Sequence, residues 1–285
     1  MSQAAGVVSE LWRFPVKSMA GEQLQAAELS LNGIVGDRAY ALIDLETGKK
    51  VSAKNSDFPN MLDCRAVFVE PPQLGRGVPP VRITLTNGKS VTSDAPDAEA
   101  ALSAYFGRTV RLATVAANYF TIDHAPDLRS PEQRHGAAFL KESGITSPLP
   151  EGSFLDLFPL SVMTLSTLRR LGELQGQSRF DARRFRMNMI VETPMSGFVE
   201  NGWVGQALAV GARAKVAVAM ADPRCVMTTL AQGDLPKDTE VMRALTMHNR
   251  VEIPGVGRLP CAGVYAAVAK PGRLSVGDPV VLAER

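Results

Sequence analysis

The sequence predicts a mainly β protein with peripheral helices, built as an N-terminal β-barrel-like domain followed by a second β-barrel domain. Three observations predict it. Short apolar-rich runs recur between glycine-containing turns, and such strand-turn-strand content closes into barrels or sandwiches. Only a few stretches carry apolar residues at helical spacing. A polar, proline-bearing stretch over 117–152, with Pro126, Pro131, Pro148 and Pro150, divides the chain and reads as a long loop. The predicted domains are therefore 1–118 and 119–285, with the site between them.

The elements follow in order. Val7 to Phe14 reads as a strand. Ala39 to Leu45 and Lys50 to Ala53 form a hairpin around the turn at Gly48. Val81 to Leu85 and Ser90 to Thr92 form a second, and Asn87-Gly88 suits a type I′ turn with positive φ at both residues. Asp94 to Phe106 reads as a helix, with Asp94 as N-cap and Gly107 as its stop. Thr109 to Ala116 returns to strand. Beyond the divider, Ser166 to Leu174 and Thr239 to Asn249 read as helices. Met187 to Glu192, Leu208 to Val210, Ala214 to Met220, Gly263 to Ala269 and Pro279 to Leu282 read as strands.

Composition bounds the function. The 285 residues carry 31 basic and 29 acidic side chains, a net charge of +2, so no clustered basic footprint predicts a nucleic-acid partner. The three cysteines, Cys64, Cys225 and Cys261, are too few and too widely spaced for a disulfide framework and fit a reducing compartment. The N-terminus lacks a signal-peptide pattern, and no apolar run reaches the roughly 18 residues of a membrane span. The expectation is a soluble cytoplasmic protein without a membrane partner. The phosphate-binding P-loop, the dinucleotide fingerprint and the nucleophile elbow are all missing. His124, His135 and His248 lie far apart and lack metal-ligand spacing.

Four clusters carry chemistry. Cys225 follows Arg224, just beyond a strand that ends at Asp222-Pro223, and a neighbouring guanidinium favours the thiolate. Thiolates suit the softer metals, although a lone cysteine is more often a small hydrophobe. Lys17 and Ser18, at the end of the first strand, suit a phosphate or are a solvated strand end. Gly36-Asp37-Arg38 reads as a tight turn presenting Arg38, or as a structural ion pair. Arg183, Arg184 and Arg186 are either a solvated edge or an anion clamp.

The order of these motifs resembles a known family. Pro15-Val16-Lys17-Ser18, Gly36-Asp37-Arg38, Phe154-Leu155-Asp156 with Pro159-Leu160, Arg184-Phe185-Arg186 with Asn188, and Arg224-Cys225 with Thr228-Thr229 run as in the MOSC-domain family. The two-part members fit best, the group of the mitochondrial amidoxime-reducing component and its bacterial relatives. Gly263-Val264-Tyr265 and Gly277-Asp278-Pro279-Val280 resemble its closing strands.

The resemblance implies a molybdenum cofactor, a molybdopterin whose metal takes one protein thiolate from Cys225. It implies that Lys17, Ser18, Arg38, Arg186 and Asn188 hold phosphate and pterin, with Arg224, Thr164 and Tyr265 close by. It implies reduction of small N-oxygenated compounds. The alternative is a non-catalytic carrier of the cofactor or of a sulfur group on Cys225. A pyridoxal-phosphate-binding label also travels with the family and identifies no residue here. Ser161, Met187 and Pro223 stand where the family often has His, Pro and Ser, so the substrate is expected to differ. Some relatives add an iron–sulfur domain after the MOSC domain. This chain ends at Arg285 without that four-cysteine motif, so a separate electron-donor protein is expected.

Overall fold

The computed structural model describes residues 3–114 and 154–283. The expected loop over 117–152, the boundary at 118, His124 and His135 lie outside the described residues.

In chain order the first segment contains β1 (Gln3–Arg13), β2 (Glu22–Leu24), β3 (Ala26–Ser30), β4 (Gly33–Ile34), β5 (Tyr40–Asp44), β6 (Lys49–Lys50), β7 (Arg65–Phe68), β8 (Val81–Thr84), β9 (Ser90–Thr92), α1 (Ala98–Phe106) and β10 (Val110–Thr114). The second contains β11 (Leu160–Thr164), α2 (Leu165–Leu174), β12 (Met189–Glu192), β13 (Ala207–Val210), β14 (Ala214–Pro223), α3 (Glu240–His248), β15 (Arg250–Ile253), β16 (Gly257–Lys270), β17 (Gly272–Ser275) and β18 (Pro279–Ala283). The protein is mainly β, as the sequence predicts.

Seven strands close a barrel. Their order is β11-β12-β1-β18-β13-β14-β16, and β16 pairs back onto β11 through Leu160↔Ala266 and Val162↔Val264. Closure leaves no edge in the ring open to pairing with another chain. Leu11, Val162, Val191, Leu208, Val216 and Val264 are among the residues that fill its core. The burial alternates along β14, with Ala214, Val216, Val218 and Met220 inward, as a half-buried strand requires. β1 belongs to this ring, although it lies over 140 residues before β11.

The rest of the first segment surrounds a second core of Val16, Tyr40, Leu42, Phe58, Ile83, Leu102 and Phe106. Two three-stranded sheets, β10-β5-β6 and β7-β8-β9, contribute to it. A third sheet, β17-β3-β4, ties a late strand to early ones.

Three local expectations are corrected. α1 begins at Ala98, not near Asp94, because Pro96 disfavours helical backbone at Ala95 and a turn fills 93–97. Asp97 takes the N-cap position, and Gly107 stops the helix at φ 69°. The Asn87-Gly88 turn is not type I′, because only Gly88 has positive φ (82°). Instead the Leu85 amide donates to the Lys89 carbonyl and the Gly88 amide to the Leu85 carbonyl, a longer loop with glycine at its left-handed position. β16 extends well beyond Gly263–Ala269, because Pro260 is accommodated opposite Arg250 of β15.

Candidate active site

The end of β1 leads into Phe14–Ser18, which bonds the turn after β4. The Arg38 amide donates to the Phe14 carbonyl, the Tyr40 amide to the Pro15 carbonyl and the Lys17 amide to the Tyr40 carbonyl. The Asp37 carboxylate accepts from the Phe14 amide at 2.8 Å. These bonds place Lys17, Ser18 and Arg38 on one side of a cleft.

The other side comes from the loop before β12. Arg186 and Arg38 sandwich the Phe14 ring, their guanidinium carbons 4.3 Å and 4.5 Å from its centroid. A cation above an aromatic face is attracted by the ring quadrupole, which helps offset the repulsion between the two arginines. Arg38 also pairs with Asp37 and donates to the Arg186 carbonyl at 3.1 Å.

Backbone strain concentrates here. Among the described residues four non-glycines have left-handed φ, and three are Ser18 (64°), Arg38 (48°) and Arg186 (54°). Each costs on the order of 1–3 kcal/mol and persists only where the surroundings impose it, a pattern that gathers at functional sites.

Arg186 is 8% exposed, and no group among the described residues accepts a hydrogen bond from its guanidinium. Burial, and then the charge of Arg38, push its pKa down to about 9. Asp37 and Asp156 act on it without forming an ion pair, so this buried cation favours a bound anion.

The three arginines of the cluster therefore diverge. Arg183 pairs with Asp181 and Asp234 at 2.7 Å each. Arg184, 1% exposed, donates only to carbonyls, those of Arg179, Thr228, Leu230 and Pro236. Arg186 alone reaches the cleft.

Cys225 stands two residues beyond β14 and opens a short 3₁₀ turn over Val226–Thr229. Its carbonyl accepts from the Thr228 amide and hydroxyl. It is half-buried, whereas Cys64 and Cys261 are fully buried, and all three are free thiols. Arg224 links Cys225 to the cleft. It pairs with Asp222 and donates to the Phe185 carbonyl at 2.5 Å, next to Arg186.

Asp222 is 1% exposed, and among the described residues one of its carboxylate oxygens has no hydrogen-bond partner, nor does Nε of Arg224. Burial raises the Asp222 carboxyl to about 6, against the opposing pull of Arg224 and the neighbouring Tyr265. Tyr265 stacks on Phe158 at 5.7 Å, and burial followed by the Asp222 charge raises its phenol well above the usual range. Gly263 makes this geometry possible: at φ 82° a Cβ would meet the Val162 carbonyl oxygen at 2.7 Å.

The raised Asp222 carboxyl has a measurable consequence. The folded protein holds a proton there through a window in which the unfolded chain has released it. Stability of the metal-free protein is therefore expected to fall as pH rises from about 4 to about 6, by roughly 1–3 kcal/mol from this group. Urea unfolding across that range reads it. Asp222→Asn should flatten the fall to what the similarly raised Glu200 leaves.

Two residues that the resemblance brings forward are engaged elsewhere. The Asn188 carbonyl oxygen accepts from the Ser161 amide and hydroxyl, and its NH₂ donates to the Asp37 carboxylate and the Trp12 carbonyl. With all four hydrogen-bonding positions taken, Asn188 braces Asp37 and thereby Arg38. Thr164 is not brought to the cleft. Its hydroxyl caps α2 at the Thr167 amide and donates to the buried Glu200 at 2.6 Å.

Lys17 donates to the Phe154 carbonyl at 2.9 Å and to Asp156 at 2.5 Å. Lys50, which the sequence reading does not single out, lies over the Phe154 ring at 5.9 Å. Lys17, Arg38, Lys50, Arg186 and Arg224 set five cations against the carboxylates of Asp37, Asp156 and Asp222. The cations outnumber the carboxylates, which suits a bound anion such as a phosphate.

The sequence matches known proteins along most of the chain. Residues 5–107 match the MOSC N-terminal beta barrel domain, and residues 151–281 match the MOSC domain. The chain belongs to the MOSC-domain family. It is 26% identical over 301 residues to mitochondrial amidoxime reducing component 2 of Bos taurus, covering 98% of this chain and 83% of that protein. The human component 2 is 25% identical, with 98% and 84% covered. Among solved structures, the YUAD protein of Bacillus subtilis aligns over 100% of this chain and 96% of its own at 10% identity, with a TM-score of 0.40. The Phe14–Ser18, Gly36–Arg38 and Arg184–Asn188 segments fall within the two MOSC matches, as do Arg224, Cys225 and Tyr265.

Proposed function

We propose that this MOSC protein is a molybdenum-cofactor-dependent oxidoreductase that reduces N-oxygenated compounds, such as N-hydroxylated amidines or bases, by oxygen transfer. One observation carries the reading. The single half-exposed thiol, Cys225, adjoins a buried cationic cluster in which, among the described residues, Arg186 forms no ion pair.

The residues fit the group. Among the described residues no three His, Cys, Asp or Glu side chains gather to hold an ion. A metal at Cys225 would have to bring most of its ligands with it, as a dithiolene-bound metal does. Cys225 would supply the protein thiolate. Lys17, Ser18, Arg38 and Arg186 would hold the phosphate, with Arg224 and Tyr265 beside the metal end. The cofactor, when bound, supplies the two-electron oxygen-transfer chemistry.

The protein's own part is to bind, orient and manage protons. The Arg38–Phe14–Arg186 stack sets the anion's position. The Arg224 bonds to Asp222 and Phe185 fix the approach to Cys225. Reduction of an N–OH group to an amine and water consumes protons. Asp222, with a carboxyl near 6 and a bare oxygen, can hold one close to Cys225. Electrons would come from a separate donor protein. The three free thiols suit a reducing, cytoplasmic setting. No helix among the described residues is long and apolar enough to cross a membrane.

The rival reading, a carrier of cofactor or sulfur, draws on the accessibility of Cys225 beside Val226, which is 48% exposed. One experiment separates them. Protein made in cells that synthesise the cofactor is analysed for molybdenum and pterin, and assayed for benzamidoxime reduction with an artificial electron donor. The expected result is one molybdenum per chain, lost in Cys225→Ser, together with turnover. Cofactor-loaded protein without turnover selects the carrier. Protein free of metal and pterin overturns the reductase and the cofactor carrier alike.

A further inference from the structure

We propose that Lys50, together with Lys17, forms a second anion subsite at the mouth of the cleft, and that it takes a carboxylate or phosphate carried by the substrate. The assignment of that anion to a substrate rests on the reductase reading above.

Lys50 ends β6, the short outer strand of its sheet, where it pairs with Ile43 of β5. Its ammonium and that of Lys17 converge on one residue, Phe154. Lys17 donates to the Phe154 carbonyl at 2.9 Å, and Lys50 lies over the ring at 5.9 Å. The carboxylate nearest to hand, Asp156, is taken by Lys17 at 2.5 Å. Among the described residues nothing accepts a hydrogen bond from Lys50.

Two ammonium groups drawn to one aromatic residue repel each other, and the weak ring contact does not offset that repulsion. The setting is unfavourable for Lys50 itself: burial, then the charge of Lys17, push its pKa down to about 8. An anion beside Lys50 would offset both its burial and the repulsion from Lys17. The Arg38–Phe14–Arg186 stack, which shares the charge of Asp156, provides for the cofactor phosphate, and Lys17 is common to both sites. Asp156 has a side chain 63% exposed and marks this end of the cleft as open to solvent. A molecule arriving from solution meets Lys50 first.

The test compares two ligands that differ in one group, benzamidoxime and 4-carboxybenzamidoxime. Each is titrated calorimetrically into the cofactor-bearing protein, as wild type, Lys50→Met and Lys50→Arg. Lys50 is on an edge strand, and both substitutes are unbranched along most of its length, so the strand should tolerate them. The wild type is expected to bind the carboxylated ligand about fivefold more tightly than the neutral one, the worth of one partly screened ion pair. Lys50→Met should lose that preference, and Lys50→Arg should keep it. Equal binding of the two ligands by the wild type, including no binding of either, would overturn the subsite.

A second phosphate on a nucleotide-bearing form of the cofactor has the same chemistry as the proposed ligand. It is read separately, by nucleotide released on acid hydrolysis. Nucleotide present in the wild type and lost in Lys50→Met would assign Lys50 to the cofactor and overturn the substrate role. A preserved ligand preference without any benzamidoxime reduction would remove the reductase reading and leave the subsite standing.

Discussion

Arg186→Met is expected to stabilise the cofactor-free protein while weakening its hold on phosphate about tenfold. The two effects share one cause. Arg186 is 8% exposed, its guanidinium has no acceptor among the described residues, and its pKa is pushed down to about 9. Replacing a buried charge that forms no ion pair with a shorter, flexible apolar side chain stabilises by roughly 1–3 kcal/mol. Methionine also keeps a polarisable contact with Phe14. The left-handed backbone at 186 is common to both proteins and cancels. Urea unfolding measures the gain. Titration with inorganic phosphate measures the loss, read by fluorescence of Trp12, whose ring stacks on Phe14 at 6.3 Å. A destabilised variant would mean that Arg186 has a counter-charge in the folded protein. Stability sacrificed at a binding residue is a common trade.

Arg184→Ala is expected to act in the opposite direction, with a loss of about 3–5 kcal/mol. Its four acceptors are backbone carbonyls at 2.8–3.4 Å, three of them in the 228–236 segment that follows Cys225. Truncation leaves these carbonyls short of a donor in a buried setting and opens a cavity. The damage should spread to Cys225, whose carbonyl accepts from Thr228 in the same turn. The reaction of Cys225 with a thiol reagent should therefore accelerate under native conditions, while the buried Cys64 and Cys261 stay protected. Denaturant unfolding gives the first effect and thiol kinetics the second.

The neighbouring arginines show which parts of the molecule are legible in its sequence. Local patterns place the strands well: Ser90 to Thr92 and the start of β14 at Ala214 coincide with the observed ends. β11 is harder to read. Leu160–Thr164 is buried at every position, so it lacks the period-2 alternation that marks a half-exposed strand. Helix α1 is misjudged at its start because Pro96 outweighs a plausible cap at Asp94. At the site, Lys17, Arg38, Arg186 and Arg224 are named by motif order. Nothing in their spacing reveals that Arg183, Arg184 and Arg186 point three different ways. That depends on the left-handed turn at 186 and on acceptors about 50 residues later. Lys50 is invisible for a similar reason. Its neighbour Phe154 is over 100 residues away, and an exposed-looking Lys49-Lys50 pair reads as a turn flank. Asn188 and Thr164 show the converse: a polar residue in the right motif can have every hydrogen-bonding position engaged within the protein.

The place of β1 in the barrel has a consequence for biosynthesis. Gln3 pairs with Leu282 and Val7 with Pro279, so the ring joins residues more than 270 positions apart in the chain. A ribosome releases the N-terminal strand long before its β18 partner exists. The first segment can assemble its own core early, but β1 must wait, with Val8 and Leu11 lacking their final neighbours. The ring therefore closes only once β18 has left the ribosome, and such late, long-range pairing is slow and exposed to aggregation. The Phe14–Ser18 segment hangs from the end of that strand, so the anion site too is completed only when β18 is in place.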